Sequence, residues 1–198
     1  MLVSVAIFSI VMVMALGALL SLSTADKKAQ ALKSAVDNLN FALDSMSRSI
    51  RTGSNYHCGS ALGVDCKTGN NTFYFTANNG VVTAYRLESA NTDSGGAAGA
   101  QTVCGQTIAT PGCLAISTSV DNGITWTPWA AITSPDVIIN DLSGSNSYLF
   151  HVWGSAAGSA DNIQPVIVMT LSGYAQVSST QQSAFHLQTT VAQRIYDQ

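Results

Sequence analysis

Charge is what this chain has least of. Only 8 Lys and Arg and 11 Asp and Glu occur in 198 residues, 10% of the total, where about 25% is usual. Glu88 is the single glutamate. A net charge of −3 with no basic patch argues against a nucleic-acid partner. His57, His151 and His186 are isolated from one another, and no GxSxG, HExxH or Gly-rich phosphate loop occurs. No catalytic residue, cofactor, metal ligand or small-molecule substrate is therefore expected. The cysteines lack CxxC spacing, and no solenoid-type repeat is visible. Scarce charge does not mean disorder here, because 46% of the residues are hydrophobic.

A second absence lies at the N-terminus. No charge precedes Asp26, and no Lys or Arg stands ahead of the apolar run at 1–20. A secretory signal needs a basic leader, so the run fits that role poorly. It is long enough to cross a bilayer as a helix, which takes about 20 residues. Ser4, Ser9 and Gly17 alone interrupt it, and a helix hides a Ser hydroxyl on its own carbonyls. Gly17 is where local loosening would fall.

A third absence extends the helix. No Gly or Pro occurs between Ala18 and Arg51. Leu32, Val36, Leu39, Leu43, Met46 and Ile50 recur at gaps of 4, 3, 4, 3 and 4. That stripe, with Ala29, Ala35 and Ala42 beside it and Phe41 off it, predicts an amphipathic helix, suited equally to a coiled coil or to packing on a sheet. Gly53 and then Asn55 supply the stop. One helix from near Met1 to about Arg51 would measure about 75 Å at 1.5 Å per residue. Three regions result: an apolar helical half at 1–25, an amphipathic half at 26–52, and a globular region at 53–198. In the first half Val5, Ile7, Phe8, Ile10, Val11, Val13 and Leu16 are the assembly candidates, suited to lipid or to other helices.

The remainder reads as β. Strands are predicted at Thr72–Thr76 and 81–87, joined through Asn78, Asn79 and Gly80. Others are predicted at 147–153, 164–176 and 183–194. In the last, Phe185, Leu187, Thr189 and Val191 alternate with polar residues, so one face is wet. Pro165 belongs at a strand start. The stretch 88–102 reads as a loop by composition. The fold class is α+β, a long N-terminal helix packed on an antiparallel sheet domain. Four cysteines allow three pairings. Short separations favour Cys58 with Cys66 and Cys104 with Cys113, zinc being the alternative. Disulfides would place the domain outside the cytoplasm. Lys27 and Lys28, just past the apolar run, oppose that orientation.

The stretch "MLVSVAIFSIVMVMALGALLSLS" resembles the segment just after the cleavage site in type IV pilins and type II secretion pseudopilins. In that family a basic leader ends in Gly. The mature chain begins with Phe or Met, and a Glu stands at its fifth position. Here Met1 would stand one place beyond that Glu, so the chain is trimmed, its start is placed late, or it departs from the pattern. "FHLQTTVAQR" is similar to the closing strand of some pilin-like proteins. The resemblance implies a structural subunit, major or minor, of a pilus-like or secretion filament. It would span the bacterial inner membrane once and then join its own copies or other pilin-like subunits in a surface filament.

"SVDNGITW" at 119–126 resembles the Asp-box, a folded hairpin that recurs in sialidases and is not catalytic. Asp121 and Gly123 are read as turn formers and Trp126 as core. One copy builds no propeller. The competing function is a membrane-anchored β domain that binds glycans through Trp126, Trp129, Trp153 and Tyr148. A membrane-anchored glycosidase rests on the Asp-box alone.

Overall fold

The computed structural model describes residues 1–59, 65–90, 96–141, 148–155, 163–178 and 181–194. One helix, α1 (Leu2–Arg51), runs without a break through Gly17. The apolar half absorbs its hydroxyls as expected: Ser4 Oγ donates to Met1 O at 2.7 Å and Ser9 Oγ to Val5 O at 2.9 Å.

The buried stripe of α1 is Ala35, Leu39, Ala42, Leu43, Met46 and Ile50. Leu32 and Val36, expected at full depth, are only half-buried. The contact face is rotated toward the alanines, whose small side chains let the helix approach the sheet closely, and it leaves Leu32 and Val36 on its flank. Phe41 lies on the outer face, 77% exposed. Gly53 ends the helix by a different means from a left-handed cap. Its N–H donates to Ile50 O at 2.9 Å, and a Cβ there would sit 2.5 Å from Phe75 Cδ2. The left-handed residue is Asn55, at φ 56°.

Two antiparallel sheets follow. The first, in spatial order, holds β1 (Ser54–His57), β3 (Thr72–Thr76), β4 (Val82–Ser89), β5 (Gly112–Ser119) and β6 (Ala130–Ala131). The second holds β10 (Gln181–Ala192), β9 (Val166–Ser178), β8 (Phe150–Trp153) and β2 (Cys66–Asn70). The short strand β7 (Val137–Ile139) pairs with the far half of β9, register Ile138 to Tyr174. The 78–80 turn joins β3 to β4, with Gly80 at φ 81°. Pro165 directly precedes β9. On β10 the odd-numbered Phe185 and Val191 are buried while His186, Gln188 and Thr190 are exposed.

The stretch read as a loop at 88–102 is corrected. β4 continues to Ser89, residues 91–95 lie outside the described residues, and α2 (Gly96–Cys104) follows. Three alanines favour a helix, Cys104 is bonded to Cys113, and Gly105 at φ 64° ends it.

The core gathers Leu39, Met46 and Ile50 of α1 against Phe73, Phe75, Tyr85, Leu114, Phe150, Ile167 and Met169. Tyr56, buried among them, donates its hydroxyl to Ile50 O and so satisfies a carbonyl at the helix end. Burial pushes that phenol's pKa up. β7 is wedged tightly between its neighbours: a Cβ on Gly112 would lie 1.9 Å from Ile139 O, and one on Gly173 2.1 Å from Ile138 O. No other residue fits either site.

α1 lies along the β9–β10 hairpin. Ala31 and Ala35 lie near Ala175, whose register partner is Ser183. At the other end Arg194 N donates to Arg51 O at 2.8 Å. Helix and final strand therefore run side by side in the same direction.

Candidate assembly surfaces

The N-terminal half of α1 packs against nothing else among the described residues. Residues 1–30 are exposed on every side. Val5, Ile7, Phe8, Ile10, Val11, Val13 and Leu16 are all at least 57% exposed. Residues 2–22 measure about 31 Å, against about 30 Å for the hydrocarbon core of a bilayer. α1 is the one helix long and apolar enough to span a membrane among the described residues. Lys27 and Lys28 stand just beyond that length, and Ala35 is the first residue the domain buries.

The cysteines form Cys58–Cys66 and Cys104–Cys113, with Cα separations of 6.0 and 5.6 Å. The zinc alternative is thereby removed, because a bridged sulfur is no longer a thiolate ligand. Cys104 and Cys113 are buried and fasten α2 to β5. Replacing both by Ser should cost about 2–4 kcal/mol, lowering the unfolding midpoint by about 5–15 °C. Thermal unfolding of the full chain in detergent checks this.

The 119–126 turn is organised around Asp121. Its Oδ1 accepts from Ser119 Oγ at 2.6 Å and from Thr125 N at 2.8 Å, and its Oδ2 accepts from the Thr125 hydroxyl. Gly123 N donates to Ser119 Oγ at 2.8 Å. Asn122 and Gly123 take φ of 55° and 87°, which Asn and Gly tolerate. Hydrogen bonds from Ser119, then from Thr125, hold the Asp121 carboxyl well below the usual carboxylate range. A depressed folded pKa contributes stability above the unfolded value of about 3.9, lost only as pH falls through the folded value. Carboxyl NMR of the folded protein should therefore show Asp121 without a titration midpoint near pH ~3.9.

Trp126 is not core, against expectation. It is 36% exposed, because the chain leaving the turn lays it over the outer face of the first sheet. There it meets Tyr74 edge-on at 5.6 Å and donates Nε1–H to Gly123 O at 3.0 Å. The other aromatic candidates are dispersed. Trp129 lies under Arg86 at 4.0 Å. Trp153 and Tyr148 belong to the second sheet's side, where His151 stacks on Trp153 at 6.0 Å. His57 stacks on Tyr74 at 5.3 Å, and His186 stands apart on β10. No group of His, Cys, Asp and Glu capable of holding a metal occurs among the described residues.

Sequence reasoning passed over Val120 and Ile124, which project from the Asp121 turn at 85% and 81% exposure. The signal was available, since both are apolar neighbours of turn-forming residues. It also passed over Asn38, whose Oδ1 accepts from Ser134 N at 2.9 Å and ties α1 to the segment before β7. No family model, curated protein or solved structure matches this chain.

Proposed function

We propose that the chain is a structural subunit of a helical surface filament of the type IV pilus or type II secretion kind. The observation that carries this reading is the continuity of α1. A helix half that is apolar and bare on every side passes without a hinge into a half that is part of the domain core. Such a surface is stable in lipid or among copies of itself. The layout, an apolar N-terminal helix packed on antiparallel sheet, resembles that of pilins. In this reading the helix holds the subunit in the inner membrane first. It then carries the subunit into the filament core, with the disulfide-bonded domain outward. The subunit has a structural role and no enzymatic one.

The glycan-binding reading has less to stand on, because its candidate aromatics are dispersed, and Trp126, Trp129 and Trp153 contact Tyr74, Arg86 and His151 in turn. The test is immunogold electron microscopy of cells producing the full chain, with antibody to the β domain. Label along filaments is the expected result. Label confined to the membrane would overturn the proposal.

A further inference from the structure

Beyond the anchor half, the large exposed hydrophobics among the described residues are Phe41, Val120, Ile124, Trp126 and Ile163. Three of the five fall in the one turn built around Asp121. Its hydrogen bonds fix the turn, so Val120 and Ile124 are presented at little cost in order. Register places the turn in the molecule. Ser54 pairs with Thr76, Thr76 with Val82, and Val82 with Ser119. That row lies beside the C-terminal end of α1, so the turn forms the pole of the domain remote from Met1.

The opposite pole carries a hole. Ala31, Ser34 and Ala35 of α1, with Ser134, Asp136, Val137, Ala175 and Gln176, line a cavity of about 80 Å³. It lies where α1 first meets the domain. A cavity of about 150 Å³ accepts benzene, so this one suits a branched aliphatic side chain and is small for an indole. Five of its eight lining residues are Ala or Ser, and Ile124 and Val120 are the most exposed aliphatic groups at the far pole.

We propose that Ile124 of one copy seats in this cavity of the next copy along the filament. The inference rests on the filament reading above. A second copy is the fitting occupant for a geometric reason. Knob and hole lie at opposite ends of the same axis, so the contact is head to tail and leaves every α1 pointing the same way. Heterologous contacts of that kind do not close, and they generate filaments. A tip-to-tip pairing would instead reverse one anchor. The stagger is set by α1: Ser34 to Arg51 is about 25 Å at about 1.5 Å per residue.

Paired cysteines test it in cells making the full chain, since the described cysteines leave no free thiol. With Ile124→Cys and Ser34→Cys together, a short bismaleimide should give a ladder of dimers, trimers and higher multimers, and neither single variant should. Filaments present by microscopy with no ladder would overturn the contact and leave the filament reading standing. A ladder without filaments would keep the contact and overturn the filament reading, and loss of both would overturn both. Dimers from Ile124→Cys alone would mean tip-to-tip pairing and also overturn the contact. Ile124→Asp, at an exposed site that does not disturb the fold, should lower filament yield at least tenfold. Unchanged yield would count against the contact.

Discussion

Lysine in place of Val13, or of Ile10, is expected to remove the chain from surface filaments while leaving its β domain folded. Val13 lies near the middle of the bare apolar half and is 70% exposed. In a bilayer a lysine at that depth costs about 2.5–3.5 kcal/mol, which a helix partly escapes by letting the long side chain reach the interface. In a bundle of such helices the side chain is packed away from the interface, and burying a charge there is costly. At about 1.4 kcal/mol per factor of ten, a cost of that size lowers incorporation by about a hundredfold or more. The domain is untouched, since residues 1–30 contribute nothing to its core. Electron microscopy reads the filaments, and non-reducing gel mobility reads the two disulfides. Normal filaments from the Val13→Lys chain would mean that this helix is not the filament core, and a display role would replace the structural one.

Leu39→Asp should have the opposite distribution of effects. Leu39 is 0% exposed and belongs to the core cluster. Truncating such a leucine to Ala costs about 2–5 kcal/mol. A carboxylate adds the cost of burying a charge in that cluster. Against a total stability of about 5–15 kcal/mol, the domain is expected to unfold. Phe41→Asp is the matched control two residues away, on the exposed face, and should move stability by no more than about 0.5 kcal/mol. Limited proteolysis in detergent distinguishes them: Leu39→Asp should be degraded rapidly and Phe41→Asp should resist like the parent. Equal resistance would mean that the amphipathic half of α1 is not part of the core.

The helix was legible because its evidence is local. Absence of Gly and Pro, absence of charge and a regular stripe each act within a few turns. The 72–76 and 82–89 hairpin was legible for the same reason, through Asn79 and Gly80. What stayed hidden depends on distant contacts. β5 carries Ala115, Ser117 and Ser119, all buried but too small to signal a strand, and it is a strand because β4 and β6 flank it. α2 hid in an Ala- and Gly-rich stretch that the Cys104–Cys113 bond fastens to β5. β7 is three residues long and held by two glycines on neighbouring strands. The depth of Leu32 and Val36 was misjudged because periodicity gives the existence of a contact face but not its rotation. Trp126 was misplaced because the motif defines the turn, whereas the direction of the chain leaving it is set by Thr127, whose backbone carbonyl accepts from Ser117 Oγ at 2.6 Å.

The side-by-side run of α1 and β10 has a mechanical consequence. In the proposed filament, tension would load each subunit through its N-terminal helix. Because helix and final strand lie parallel over the stretch from Ala35 to Arg51, a pull along α1 acts in shear. Leu39, Leu43, Met46 and Ile50 must slip together rather than peel one after another. The load along α1 passes from the first element of the chain straight into the last.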